Sequence, residues 1–380
     1  MIYLDAAATT KPKTKVKAEV NKYLNSYANP MSAYGFASEP KEAVENARNI
    51  ISEILKCEPE EIYFTSGGSE ANSWALKGLA FQHFSEHKAP LHIYTTLIEH
   101  HSILHACEEL KQIGLAEVTY LGVDDQGFVL YDALNDIESG SLVSIGWANN
   151  EIGTIQDMRK ISAIVHEKGA LLHSDAVQAY CKIPIEVSLV DLMSVSAHKW
   201  GAPKGVGFLF IRNGIKIMPL ISGGEQENGL RGGTHNVPYI AGMAVATQLA
   251  DINQKCNYQH EQQIKFLIWK DLVKELPKLK VNGTQIQSLP NILNLDLSAY
   301  GVQGVQLAEF LSVNEICIST GSACNTTSNE PSHVLKAIGL TDEQANSSIR
   351  MSFNENNTLP DVPKIVECIV KGVKLLGSEV

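Results

Sequence analysis

Between residues 60 and 212 two apolar rhythms alternate along the chain. Short runs rich in β-branched and aromatic residues ("EIYFTS", "LHIYTT", "EVTYLGV", "SLVSIGWA", "ALLHSD", "LMSVSA" and "GVGFLFI") read as buried strands. Between most of them lie stretches such as "SEANSWALKGLAFQHF" and "MRKISAIVHEKG", whose apolar residues recur at helical spacing. The alternation predicts an α/β fold, a mostly parallel sheet flanked by helices on both faces. The last run follows "WGAPKG" too closely for a crossover helix, so it is expected to pair antiparallel.

A long helix is expected from about "NVPYIAGMAVATQLADINQ", and beyond it helices mix with short strands ("LPNILNLDL", "EICIST", "SIRMSF"). We read a large domain over residues 13–252 and a smaller α+β domain over 253–380 that takes in the N-terminal 1–12. A chain of 380 residues is long enough for two cores. No apolar run approaches the ~18 residues of a spanning helix, and no charged-then-apolar leader opens "MIYLDAAATTKPKTK". The balance of 31 basic against 42 acidic residues, net −11, argues against a nucleic acid or a membrane as direct partner. Seven widely spread cysteines without a C-x-x-C suggest free thiols in a reducing compartment, so the chain reads as cytoplasmic. Most of them read as small buried hydrophobes. Cys324 differs: in "STGSACNTTSNEP" it lies among Ser, Thr, Gly and Asn, the composition of a mobile loop.

The polar residues are placed informatively. Ser66 to Ser69, Glu99-His100, Asn149 to Glu151, Asp175 and Ser196 to Lys199 each follow directly on an apolar run. In an open α/β sheet, ligands bind outside the carboxyl ends of strands, so five strands deliver polar groups to one edge. "TSGGSEANSWALKG" places backbone N–H groups at a helix N-terminus, which suits a phosphate; it reads equally as a tight turn with Ser69 as N-cap. Asp175 needs a cationic or hydrogen-bonding partner, either a structural one or a protonated pyridine nitrogen such as that of pyridoxal phosphate (PLP). Gln178 shares its face if the segment turns helical. Lys199, in "SVSAHKWGAPKGVG", either snorkels from a strand end or, partly desolvated, forms a Schiff base with a phosphate held beside it by Ser196 and His198. His100 can stack on a ring and exchange protons, whereas His101 reads as structural. "HFSEH" (His83 to His87) matches the H-x-x-E-H metal pattern, but it falls at a helix end and no metal is expected.

Together with "YLDAAATT", "NNEIGTIQ", "GGEQENGLRGGTHN", "STGSACNTTSNEPSHVLKAIGL" and "SSIRMSF", these segments make the chain resemble the cysteine desulfurases of the NifS/IscS family. These belong to the class V, PLP-dependent fold-type I aminotransferase superfamily. The resemblance implies that Lys199 is the Schiff-base lysine. Gly68, Ser69, Ser196 and His198 would hold the cofactor phosphate, with Thr234 reaching across from a second subunit of a homodimer. His100 would stack on the ring and manage protons, Asp175 would pair with its nitrogen, and Gln178 and Asn150 would lie near its phenolic oxygen. Arg350 would clamp the carboxylate of L-cysteine, with Asn150 nearby. Cys324 would take the sulfur as a persulfide and hand it to an acceptor protein. Iron–sulfur cluster assembly, tRNA thiolation and DNA phosphorothioation are the destinations the family offers. The alternatives are a selenocysteine lyase, another class V lyase, or a non-catalytic sulfur-relay scaffold. The chain departs from the family pattern at Ala6, where asparagine is usual, at Met31 and Tyr34, and at Gly68-Ser69, where Ala-Thr is usual.

Overall fold

The computed structural model describes residues 1–320 and 330–377. Strand β1 (Ile2–Tyr3) opens the chain, followed by helices α1 (Thr14–Leu24) and α2 (Ser38–Leu55). Next come β2 (Ile62–Thr65), α3 (Gly68–His87), β3 (Leu91–Thr96), α4 (His101–Gln112) and β4 (Ala116–Leu121). They are followed by β5 (Leu142–Ser144), α5 (Met158–Glu167), β6 (Leu171–Asp175), β7 (Leu192–Ser196) and β8 (Gly207–Ile211). Among the described residues, β2 to β8 form a seven-stranded sheet in the order β2-β8-β7-β6-β5-β3-β4. Each apolar run of the sequence is one of these strands. Only β8 runs against the rest, pairing antiparallel with both β7 and β2, as its short connection requires. β5 stops at Ser144, short of the run that announced it. Its pairing with β6 continues irregularly, through Ile145 N–H to the His173 carbonyl and Trp147 N–H to the Asp175 carbonyl.

Alternation along the strands divides the burial. Met193, Val195, Phe208 and Phe210 point into a core shared with α2, while Leu192, Leu209, Ile93 and Leu142 point into one shared with α3 and α4. Helix α6 (Val237–Glu275) then runs for 39 residues, with Pro238 in its first turn and the Asn236 side chain capping Tyr239 N–H. Its first half buries Ile240, Met243 and Ala246 in the first of these cores; its second half buries Ile264, Ile268 and Leu272 in a separate one. Position 252, the end of the large domain as read along a long helix in the sequence, lies inside that helix, which is continuous and shared by two cores.

The second core is built from β9 (Lys280–Val281), β10 (Ile292–Asp296), α7 (Gly304–Val313), β11 (Ile316–Cys317), β12 (Ser319–Thr320), α8 (His333–Ala337), α9 (Asp342–Asn346), β13 (Ser348–Ser352) and α10 (Asp361–Leu376). Strands β12-β13-β10-β9 form an antiparallel sheet. β1 pairs with β11, and Ile2 and Leu4 are buried in this core, so the chain's first residues pack with its last third. Among the described residues no helix is long and apolar enough to cross a membrane.

Candidate active site

Because β2, β3, β5, β6 and β7 run parallel, the polar residues at their carboxyl ends meet on one edge. They line a cavity of about 250 Å³, closed from the other side by Arg350 of β13 and by Asp5, Ala7 and Ala8 of the N-terminal segment.

At the end of β2 the chain turns sharply into α3. Gly67 adopts φ +148°, a conformation essentially confined to glycine, and the N-cap makes no side-chain hydrogen bond. Ser69 therefore sits inside the first turn and is not the cap. Gly68 packs too closely for a Cβ: one built there lies 2.8 Å from Val177 Cγ2 and 3.3 Å from Ser196 Cβ. Gly68, Ser69 and buried Ser196 border the cavity at the positive end of a 20-residue helix, a setting for a phosphate.

Asp175 and His100 are joined through two side chains that sequence reasoning missed. Asn72 Nδ2 donates to Asp175 Oδ2 at 2.7 Å and to Ser102 Oγ at 2.9 Å. His100 caps α4: its Nδ1 accepts from Ser102 N–H at 3.1 Å and lies 2.8 Å from Ser102 Oγ. An Nδ1 that accepts leaves the proton of the neutral ring on Nε2. Desolvation pulls His100 below its usual pKa against the pull of Asp175, and Lys199, His101 and His333 add to the fall. Asp175 Oδ1 also accepts from Val177 N–H at 2.9 Å. The helical spacing of Ser69 and Asn72 was the one sequence signal for Asn72.

Lys199 Nζ donates to the Ala7 and Ala8 carbonyls at 2.7 and 3.0 Å. Gln178 Nε2 donates to the same Ala7 carbonyl at 2.9 Å. His198 Nδ1 lies 3.1 Å from Thr9 Oγ1; burial first, then Lys199, Lys204 and Lys182, pulls its pKa to about 4, so the ring meets a ligand as a neutral hydrogen-bonding group. Arg350 Nη2 donates to Asp5 Oδ1 at 2.8 Å and Nη1 to the Asn150 carbonyl at 2.9 Å. "DAAATT" is thus the strap that ties the lysine, the glutamine and the arginine together. Two buried polar atoms of the cavity wall, Asn72 Oδ1 and Arg350 Nε, have no partner among the described residues.

Thr234 is exposed and does not line this cavity, and neither do Met31 and Tyr34. Cys324 lies outside the described residues. Ser319, just before that segment, lines the cavity, and Ser332, just after it, caps α8. His83 and His87 face each other at the end of α3 with centroids 4.6 Å apart. No group of three His, Cys, Asp or Glu among the described residues could hold a metal ion.

Fold and site together define the class: the family description Aminotransferase class-V matches residues 2–365. Over 380 residues the chain is 42% identical to the cysteine desulfurase IscS of Clostridium botulinum, covering 98% of this chain and 94% of that one. A solved NifS-like protein superposes with TM-score 0.91 at 35% identity, covering 99% of this chain and all of the other. SspA in complex with cysteine gives TM-score 0.79 at 34% identity over 93% of this chain and 99% of the other. The chain belongs to the cysteine desulfurases of the class V aminotransferase family.

Proposed function

We propose that the protein is a PLP-dependent cysteine desulfurase that converts L-cysteine to L-alanine and leaves the sulfur as a persulfide on Cys324. The observation that carries this is the convergence of Lys199, Asp175, His100 and Arg350 on one cavity from four separate elements. The cavity's own features fit the cofactor and substrate. They include a helix N-terminus that opens on a glycine, a strand-end carboxylate with lone pairs to spare, and an Arg350 Nε with no partner among the described residues.

Gly68 and Ser69 backbone groups, with Ser196 and His198, would hold the phosphate; Asp175 would hold the ring nitrogen, His100 one ring face, and Gln178 and Asn150 the edge. When bound, the cofactor supplies an electron sink for the substrate Cα. Lys199 would hold the cofactor through its amine and would take the substrate's Cα proton at Nζ. Arg350 orients the substrate carboxylate with a fork already aligned by Asp5 and the Asn150 carbonyl. His100 holds or moves a proton at Nε2 beside the substrate thiol. The Cys324 thiolate would form an S–S bond to the substrate sulfur as the Cβ–S bond breaks, the bonding pair staying with Cβ, which takes a proton to become the methyl group of alanine. The outer sulfur would then pass to an acceptor protein. Thr234, exposed on the loop before α6, would complete the phosphate site of a second copy, so the working unit is a homodimer. The six described cysteines are free, which supports a reducing, cytoplasmic setting.

The test uses purified protein, its visible spectrum, and assays of alanine and protein-bound persulfide after L-cysteine is added without reductant. We expect a visible band that Lys199→Ala abolishes, and a persulfide that Cys324→Ser abolishes while keeping the band. A Lys199→Ala spectrum equal to wild type, or normal turnover by Cys324→Ser, would overturn the assignment.

A further inference from the structure

Behind the cavity wall stands a second lysine that the mechanism above does not use. Lys182 Nζ donates to Gln178 Oε1 at 2.8 Å. An amide oxygen only accepts and its nitrogen only donates, so this bond sets which way the Gln178 amide faces. Gln178 is 4% exposed, and its Nε2 then donates to the Ala7 carbonyl, the same oxygen on which the Lys199 amine rests. The chain of contacts therefore runs from Lys182 through Gln178 and Ala7 to Lys199, with every step between 2.7 and 2.9 Å.

A smaller cavity of about 30 Å³ lies on this far side, lined by Lys182, Glu261, Lys13 and Glu355 among others; Lys199 borders both cavities. Glu261 faces it from α6 and is 7% exposed. Lys13 is paired with Glu355 at 3.1 Å, and the Cys181 thiol sits alongside. Burial draws Lys182 down to about 7 against Glu261, with Lys199 and Arg350 adding to the fall. Burial likewise raises Glu261 to about 8, opposed by Lys182 and Lys13 and reinforced by Glu355. A methionine of similar length would fill the place of Lys182 without the desolvation cost of an amine, so the polar head calls for a role.

We propose that Lys182 is a positioning residue for the desulfurase reaction: by orienting the Gln178 amide it presents a donor at the cofactor edge and holds the Ala7 carbonyl under the Lys199 amine. This rests on the PLP-dependent reading above. Without Lys182 the Gln178 oxygen loses its partner and the amide is held only by the Ala7 carbonyl, so the seat of Lys199 loosens.

The experiment compares wild-type holoenzyme with Lys182→Met, Lys182→Arg, Gln178→Leu and the Lys182→Met/Gln178→Leu double variant. We expect Lys182→Met to retain its cofactor and to lose about tenfold in kcat for alanine formation, the worth of one buried hydrogen bond. Its KM for L-cysteine should stay within about twofold, and the pH midpoint of the visible band should rise, because the donor at the cofactor edge is no longer held in place. Lys182→Arg should recover most of both changes. The double variant should be no worse than Gln178→Leu alone, because the two residues act in series. Lys182→Met with wild-type kcat and midpoint, or effects that simply add, would overturn the proposal while leaving the desulfurase reading intact. A wild-type protein with no visible band after PLP is added would overturn both. Should Lys182→Met fail to fold because it leaves Glu261 alone in the small cavity, Lys182→Met/Glu261→Leu removes both polar heads and carries the same expectations.

Discussion

Glu227, in the loop between β8 and α6, is 6% exposed and has φ +47°, in the left-handed region. Its carboxylate accepts from Arg48 Nη2 and Nη1 at 2.8 and 3.1 Å, from Phe64 N–H at 2.8 Å, and meets His235 Nε2 at 2.6 Å. Burial by itself would raise the pKa of this acid; the bonds from His235 and Arg48 outweigh burial and hold it at about 2, against a reference of 4.5. At roughly 1.4 kcal/mol per unit, the shift corresponds to about 3 kcal/mol of stability at neutral pH. The folded pKa is depressed, so the stabilisation is complete above pH 4.5 and is lost as pH falls toward 2. Glu227→Gln preserves the shape but turns one acceptor into a donor and leaves Arg48, whose side chain is 12% exposed, with only the more exposed Glu45 at 3.7 Å as counter-charge. The expected cost at pH 7.5 is about 3 kcal/mol, near 4 °C in Tm for a chain of this length. The assay is thermal and urea unfolding of both proteins between pH 3.5 and 8, followed by circular dichroism. The gap should narrow steadily below pH 4.5. A gap that stays constant with pH, or one below about 1 kcal/mol at pH 7.5, would refute the reasoning and mean that desolvation cancels the bonds.

Arg350→Lys keeps the charge but loses the fork, so KM for L-cysteine should rise by roughly 10- to 100-fold with a smaller change in kcat; steady-state kinetics showing less than a twofold rise would contradict the carboxylate role. Gly68→Ala restores the residue usual in the family but drives a Cβ to 2.8 Å from Val177 Cγ2, so PLP affinity should fall by about tenfold and recover in Gly68→Ala/Val177→Ala, as a cofactor titration would show. Burial lifts the Glu99 acid to about 7 against bonds from Thr96 and Gly146, with Asp175 reinforcing the rise. The folded state then binds its proton more tightly than the unfolded chain, so the wild type should lose stability as pH rises from 4.5 to 7, and Glu99→Gln should flatten that slope. Parallel slopes for the two proteins would count against it.

Much of this was legible in the chain itself. A period of two within runs such as "LMSVSA", and helical spacing between them, is local information, and it set both the seven strands and their direction. The direction in turn placed Gly68, His100, Asn150, Asp175 and Lys199 on one edge, because parallel strands end on the same side. What the chain could not announce were the contacts between distant segments. Nothing near Asn72 says that it bridges Asp175 and Ser102, and nothing in "DAAATT" says that its carbonyls seat Lys199 while Asp5 holds Arg350. Apolar periodicity reports which face of an element is buried, and it carries no record of which polar groups meet across 100 or more residues. The long helix that leads out of the large domain was legible too, but not that both cores would claim it. A helix continues as long as its backbone bonds do, and only the packing of its two halves shows that it serves two cores. The sequence by itself thus determined the sheet, the edge and the residue types of the chemistry. The tertiary structure decided how a strap, a bridging asparagine and a second lysine hold those residues in place, because hydrogen bonds between separate segments exist only once the chain has closed around them.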